Sequence, residues 1–246
     1  MALLEHCIVP DWPAPANVKA LQTTRHGGVS AAPYDTLNLG MHVGDNPQAV
    51  ARNRQLLEPL VPSEPVWLEQ VHGTVVANAD AASCRVQADA CIARHRGAVC
   101  VVMTADCLPI LLCDEAGTVV AAVHAGWKGL AAGVIEATVN AMEVAPHRLI
   151  AWLGPAIGQE AFEVGAEVRA VFIAHQARAA EAFVAHGGQG KYHADLYLLA
   201  RQRLEALGIR KVSGGNYCTY RQKDKFFSYR RDGVTGRMGT FIWLGE

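Results

Sequence analysis

The sequence predicts an α/β domain of the mixed α+β kind, with mixed sheets and helices packed outside them. Two observations carry that reading. Short β-rich apolar runs cluster in the middle of the chain, and helical stretches follow them without a regular βαβ rhythm. With 246 residues, 51% of them apolar and 18% charged, the chain can bury a large core. No Pro/Gly/Ser-rich linker and no internal repeat divides it, so a single domain over residues 1–246 is expected.

The elements follow in order. Pro10, Pro13 and Pro15 mark an irregular entry, and Thr23 to Asp45 is a long turn-rich segment of the kind usually kept for function. A helix is expected from Asn46 to about Leu57, with Asn46 as N-cap and Pro47 at the first helical position. Val99–Met103, Ile110–Cys113 and Val119–Val123 read as buried strands, and Gly129–Met142 as a helix. Leu149–Leu153 is a further strand ending at Gly154-Pro155. Helices are expected around Glu163–His175 and Asp195–Leu207, and Met238–Leu244 reads as the last strand.

Composition excludes several classes. Lysine plus arginine (22) nearly cancels aspartate plus glutamate (23), so no basic nucleic-acid surface is indicated. The greasiest region, Ala98 to Cys113, is broken by Asp106 and Pro109 and suits no membrane span. Glu5 and His6 interrupt the apolar start, which is not a signal peptide. Seven cysteines without CxxC spacing argue for a reducing, cytoplasmic setting and against a disulfide scaffold.

The chemistry concentrates in EQVHG, TADCLPILLCD and AVHAGWKGL. A hairpin turn centred on Glu115–Ala116 sets Cys107 directly opposite His124, with Cβ atoms roughly 4.5–5.5 Å apart. One divalent metal could bridge that thiolate and imidazole. With His72 as a third ligand, a fourth position stays open, as in catalytic zinc sites. A buried cysteine that merely packs, beside a hydrogen-bonded core histidine, competes with this reading. His124 also precedes a helix start, where free backbone N–H groups suit phosphate.

The substrate-binding candidates are Arg25, Asn38, His42, Gln70 and Arg230. Arg25 sits beside two glycines in a plausible anion loop or a plain turn. Asn38 and His42 either line the cleft or satisfy loop backbone. For Arg230 and Arg231, phosphate binding or base stacking competes with a salt bridge to Asp232. Asp106, Glu69 and Gln70 neighbour the ligands in sequence. Cys7, Cys84, Cys91, Cys100, Cys113 and Cys218 read as packing residues, and Cys113 lies too far along its strand, roughly 20 Å, to join the metal.

TTRHGGVS, LNLGMHVGD, EQVHG, TADCLPILLCD, AVHAGWKGL, LGPAIG and FFSYRRDGVTGRMGTFIWL together resemble the YfiH-type proteins, also called the laccase-domain, multicopper polyphenol oxidase or purine nucleoside phosphorylase family. The resemblance covers nearly the whole chain. It implies a single four-layer α/β/β/α domain and a zinc site of His72, Cys107 and His124, which are also its catalytic residues. It implies purine nucleosides and phosphate as substrates: phosphorolysis of adenosine, inosine, guanosine and methylthioadenosine, with deamination of adenosine. Some members are associated instead with editing peptidoglycan precursors. Gln159, Glu160 and Arg221 stand where many members carry cysteine.

Three other functions remain open. Copper in place of zinc would suit a phenol oxidase, although none of the ten histidines forms the His-x-His motif of a multicopper enzyme. Cys107 and His124 without metal would suit a hydrolase. A structural zinc would suit a binding module. Sequence says nothing of oligomeric state.

Overall fold

The computed structural model describes residues 3–81 and 86–246. Cys84 lies outside them. Its centre is a six-stranded mixed sheet in the order Lys211–Gly214, Leu149–Leu153, Leu108–Asp114, Val120–Ala125, Ala90–Ala93, Val76–Asn78. The two outermost pairings are parallel and the inner three antiparallel. Facing it is an antiparallel sheet in which Met238–Leu244 runs between Val18–Gln22 and Val99–Thr104.

Burial explains why the central strands read as continuous apolar runs rather than alternating ones. Leu108–Asp114 and Val120–Ala125 are buried along their whole length because both faces of their sheet are covered. One face, through Cys91, Leu111, Cys113, Val120 and Ala122, meets Cys100, Val102 and Ile242 of the second sheet. The other face, through Leu108, Ile110 and Leu112, takes Leu130, Ile135, Val139 and Leu204 from the helices Trp127–Ala132, Val134–Met142 and Leu196–Ala206. On the far side of the second sheet, Val101 and Phe241 are covered by Leu37, Leu39 and Leu57 from the turn-rich segment and the end of the Pro47–Gln55 helix. The layers therefore run α/β/β/α, as the resemblance implies. No helix among the described residues is long and apolar enough to cross a membrane.

Local chemistry places several elements where the sequence puts them. The Asn46 side chain accepts a hydrogen bond from Gln48 N and Pro47 opens the helix; Asp195 caps the Leu196–Ala206 helix through Leu198 N. The Leu149–Leu153 and Met238–Leu244 strands have the expected bounds.

Three expectations need correction. The Gly129–Met142 helix is two helices, broken at Gly133, whose φ of 99° is left-handed. The helix after Glu163 begins only at Ala166, because Glu163–Gly165 is an edge strand paired with Lys191–Ala194. The hairpin register is also shifted: Pro109, not Cys107, faces His124, and Leu108 faces Ala125. The turn lies one residue later than expected, at Gly117 with φ 65°, and the Asp114 carboxylate closes it by accepting the amides of Thr118 and Val119. A slip of two residues keeps every side chain on its face. Cys107, just before the strand, still points to the inter-sheet side that carries His124.

A candidate metal centre and its two-lobed cavity

The site forms where the inter-sheet core opens at one end. His124 is the next-to-last residue of its strand and is buried; Cys107 is half-buried; His72 is exposed, on a turn with φ 62°. The ligating atoms of the three all lie within 4.8 Å of one another, with Cys107 Sγ 3.8 Å from His72 Nε2. Gly126 makes the closeness possible. A Cβ there would stand 2.9 Å from both Cys107 Sγ and His72 Cδ2.

Asp89, which the sequence reading did not single out, organises the centre. It is fully buried, and its Oδ1 lies 2.8 Å from His124 Nδ1, leaving Nε2 of that ring for a ligand. The same carboxylate accepts the backbone amides of Val71, His72 and Gly73 at 3.2, 2.9 and 2.6 Å, so one buried acid orients two of the three ligands. The available signal was an acid embedded in the apolar run ADACIA, where an unpaired charge is costly.

The charges are coupled. Burial raises the Cys107 thiol, but His124 and His72 beside it outweigh burial and bring its pKa down to about 6. Burial lowers His124, yet the Cys107 thiolate and Asp89 raise it to about 9. For Asp89, burial is outweighed by the His124 bond and the amides, and its pKa falls below the ordinary value. A soft sulfur, two imidazoles and a carboxylate behind one ring form a donor set suited to zinc or copper. Among the described residues this is the one such group.

Two adjoining cavity lobes share His72, Ala105, Cys107 and Tyr229 as walls. One, of about 290 Å³, is completed by Asp106, Trp127, Lys128, Ile157, Phe162 and Arg230. The other, of about 340 Å³, is completed by His42, Gln70, Met103, Thr104, His124 and Arg237. Tyr229 and Arg230 reach the site because Asp106, buried and with φ 99°, accepts hydrogen bonds from Thr219 Oγ1, Ser228 Oγ and Arg230 N at 2.6, 3.0 and 2.7 Å. That engagement makes Asp106 a brace for the cavity wall.

The other candidates divide. His42 and Arg230 line the lobes. Gln70 lines one too, but its amide is paired at both ends with the backbone of Met103, at 2.8 and 2.7 Å. Asn38 is fully buried and bonds Gly40, Asp45 and Arg237 N, which is the loop-satisfying alternative. Arg25 lines neither lobe. Its three nitrogens donate to Asp35 O, Lys223 O and Asp35 Oδ2. Arg231 makes the two-pronged salt bridge to Asp232, while its neighbour Arg230 faces the cavity. Arg237 and Thr104 were not singled out. Arg221 and Glu160 form an ion pair with each other.

Residues 19–245 match the family described as multi-copper polyphenol oxidoreductase laccase. The chain belongs to this laccase-like, YfiH-type family. It is 56% identical over 240 residues to purine nucleoside phosphorylase YfiH of Shigella flexneri, covering 96% of this chain and 98% of that one. The Escherichia coli (strain K12) protein of the same name is 55% identical over 240 residues, with the same coverage. A Neisseria meningitidis crystal structure superposes with a TM-score of 0.94 at 52% identity, covering 98% of this chain and all of that one. YlmD from Geobacillus stearothermophilus follows with a TM-score of 0.85 at 31% identity, covering 95% and 94%. The YfiH-type assignment thus extends across the sheets and the helices packed on them.

Proposed function

We propose that this YfiH-type chain is a zinc-dependent purine nucleoside phosphorylase that also deaminates adenosine and cleaves methylthioadenosine. The observation that carries the reading is the junction of the His72–Cys107–His124 centre with a cavity that offers both aromatic walls and cations. The relatives' name supports it.

His72, Cys107 and His124 would hold the ion, with Asp89 fixing the ring of His124. Bound there, zinc supplies a Lewis acid at the junction of the lobes. Trp127, Phe162 and Tyr229 offer faces on which a purine can stack. Lys128, Arg230 and Arg237 make the cavity as a whole cationic, as an anionic reactant requires. In phosphorolysis a phosphate oxygen forms the bond to C1′ as the C1′–N9 bond breaks. The electron pair leaves with the purine, and the proton that phosphate loses replaces the broken bond, directly or through water. Holding both reactants at one junction supplies proximity.

The test is direct. Zinc-loaded protein with inosine and phosphate should release hypoxanthine and ribose 1-phosphate, adenosine should yield inosine and ammonia, and methylthioadenosine should yield adenine. No hypoxanthine at any metal loading overturns the reading.

A second reading has one observation behind it. The Cys107–His124 pair is poised as thiolate and imidazolium, which suits nucleophilic hydrolysis of an amide such as one in a cell-wall precursor. A multicopper phenol oxidase draws less support, since the described residues hold a single three-ligand group.

A further inference from the structure

We infer that the lobe bounded by Thr104, His42 and Arg237 is the subsite for inorganic phosphate, and that the aromatic lobe takes the nucleoside. The inference rests on the phosphorolysis reading and divides its cavity between the two reactants.

Three side chains in that lobe keep polar atoms with no partner among the described residues. Thr104 is 2% exposed, and its hydroxyl has no hydrogen-bond partner among the described residues. A buried hydroxyl of this kind is costly, and native proteins keep few of them without a ligand or water. Arg237 is anchored by its backbone N–H on Asn38 Oδ1 and by Nη1 on the carbonyls of Thr235 and Gly236, each at 3.0 Å. Its Nε and Nη2 meet no acceptor among the described residues, which leaves a held guanidinium with an edge open for two oxygens. His42, which also lines the lobe, makes no hydrogen bond among the described residues.

The neighbouring lobe is walled by rings. Trp127, Ile157 and Phe162 give it apolar walls, and its two cations lie over them: Lys128 Nζ over the Trp127 ring, and Arg230, with Nη1 on Glu163 O at 2.9 Å, over the Phe162 ring. Asp106 lines the aromatic lobe, its carboxylate held by Thr219, Ser228 and Arg230 N, whereas no described Asp or Glu lines the other. An oxyanion is therefore favoured on the Arg237 side and an aromatic base on the Phe162 side. The lobes meet at His72, Cys107 and Tyr229, where the attacking oxygen and the ribose carbon have to come together.

Calorimetric titration of zinc-loaded protein with inorganic phosphate, paired with steady-state kinetics on inosine, tests the division. Arg237→Gln should weaken phosphate binding at least about 10-fold and raise the phosphate KM in step, with the inosine KM within about twofold. Thr104→Val should weaken phosphate binding by about 3-fold or more without lowering the melting temperature, because it removes a hydroxyl that has no partner in the free protein. Arg230→Gln should raise the inosine KM and leave phosphate affinity within about twofold. Phosphate affinity indifferent to Arg237→Gln and Thr104→Val, or lost with Arg230→Gln instead, overturns the subsite, as does a wild-type protein that takes up no phosphate. Hypoxanthine release with such indifference leaves phosphorolysis standing without this subsite. Phosphate binding that depends on Arg237 in a protein that cleaves no nucleoside leaves the subsite standing without phosphorolysis.

Discussion

Asp89 Oδ1 lies 2.8 Å from His124 Nδ1, with both side chains almost completely buried, and the same carboxylate holds the amide of His72 at 2.9 Å. Two ligands far apart in the chain are thus set by one acid. Asp89→Asn presents an N–H or a neutral oxygen to Nδ1 in place of a carboxylate and weakens the grip on the turn. Zinc affinity, read by competition with a chromophoric chelator, should fall about 10–100-fold. Unchanged affinity would remove Asp89 from the centre.

Gly126 tests the closeness of the ligands. Gly126→Ala places a methyl 2.9 Å from the sulfur of Cys107 and from Cδ2 of His72. The backbone at Gly126 has φ −61°, which alanine adopts freely, so the strain falls on the two ligands and not on the chain. Metal stoichiometry by native mass spectrometry should drop, while the cost in stability stays at about 1–3 kcal/mol by denaturant titration.

Cys107 should be the reactive thiol of the metal-free protein. With its pKa near 6, it is largely thiolate at pH 7, whereas burial pushes Cys7 to about 11 and Cys113 to about 12. The rate of alkylation by iodoacetamide should rise through pH 6 and level off, with the label on Cys107 by peptide mapping. Zinc should protect it. Rapid labelling of the zinc-loaded protein would favour the hydrolase reading over a metal centre.

Asp114 should leave its mark on stability against pH. Burial raises its pKa, but the amides of Val119 and Thr118 and the Thr118 hydroxyl outweigh that and hold it below the ordinary value of 3.8. The unfolded chain therefore takes up this proton at a higher pH than the folded one. Asp114 contributes its full stabilisation above the unfolded value and loses it as pH falls through the lowered folded value. Asp114→Asn should cost about 1–3 kcal/mol at pH 7, with the gap to wild type closing as the solution is acidified below about pH 4. A gap that stays constant down to pH 2 would count against this.

What was legible in the sequence was local. Asn46-Pro47 announces a helix start because capping and a fixed φ act within one turn of chain. The central strands are visible because a sheet covered on both faces requires unbroken apolar runs. The hairpin register was missed by two residues because Gly117 and the Asp114 carboxylate, not the midpoint of the polar stretch, set the turn; parity nevertheless kept Cys107 and His124 on one side. The break at Gly133 was missed because one glycine inside an apolar helix pattern is often tolerated. Thr104 and Arg237 work only through contacts with distant segments, so neither spacing nor composition marks them, whereas Asp89 betrays itself only as an acid inside an apolar run. Arg25 and Asn38 belong to motifs as distinctive as those of the ligands, yet their donors are spent on holding loops in place.

The brace at Asp106 has a consequence for how the protein comes to exist. Its carboxylate is joined by Thr219, Ser228 and Arg230, partners 113 to 124 positions downstream. A nascent chain still in the ribosome carries both imidazoles and the sulfur long before it has the residues that roof them. An ion captured at that stage meets an open, wet pocket, and the finished enclosure arrives only when the last fifth of the polypeptide threads back between the first strand and the 99–104 strand. For a metal held there, the choice of ion would be exposed to whatever surrounds an unfinished chain.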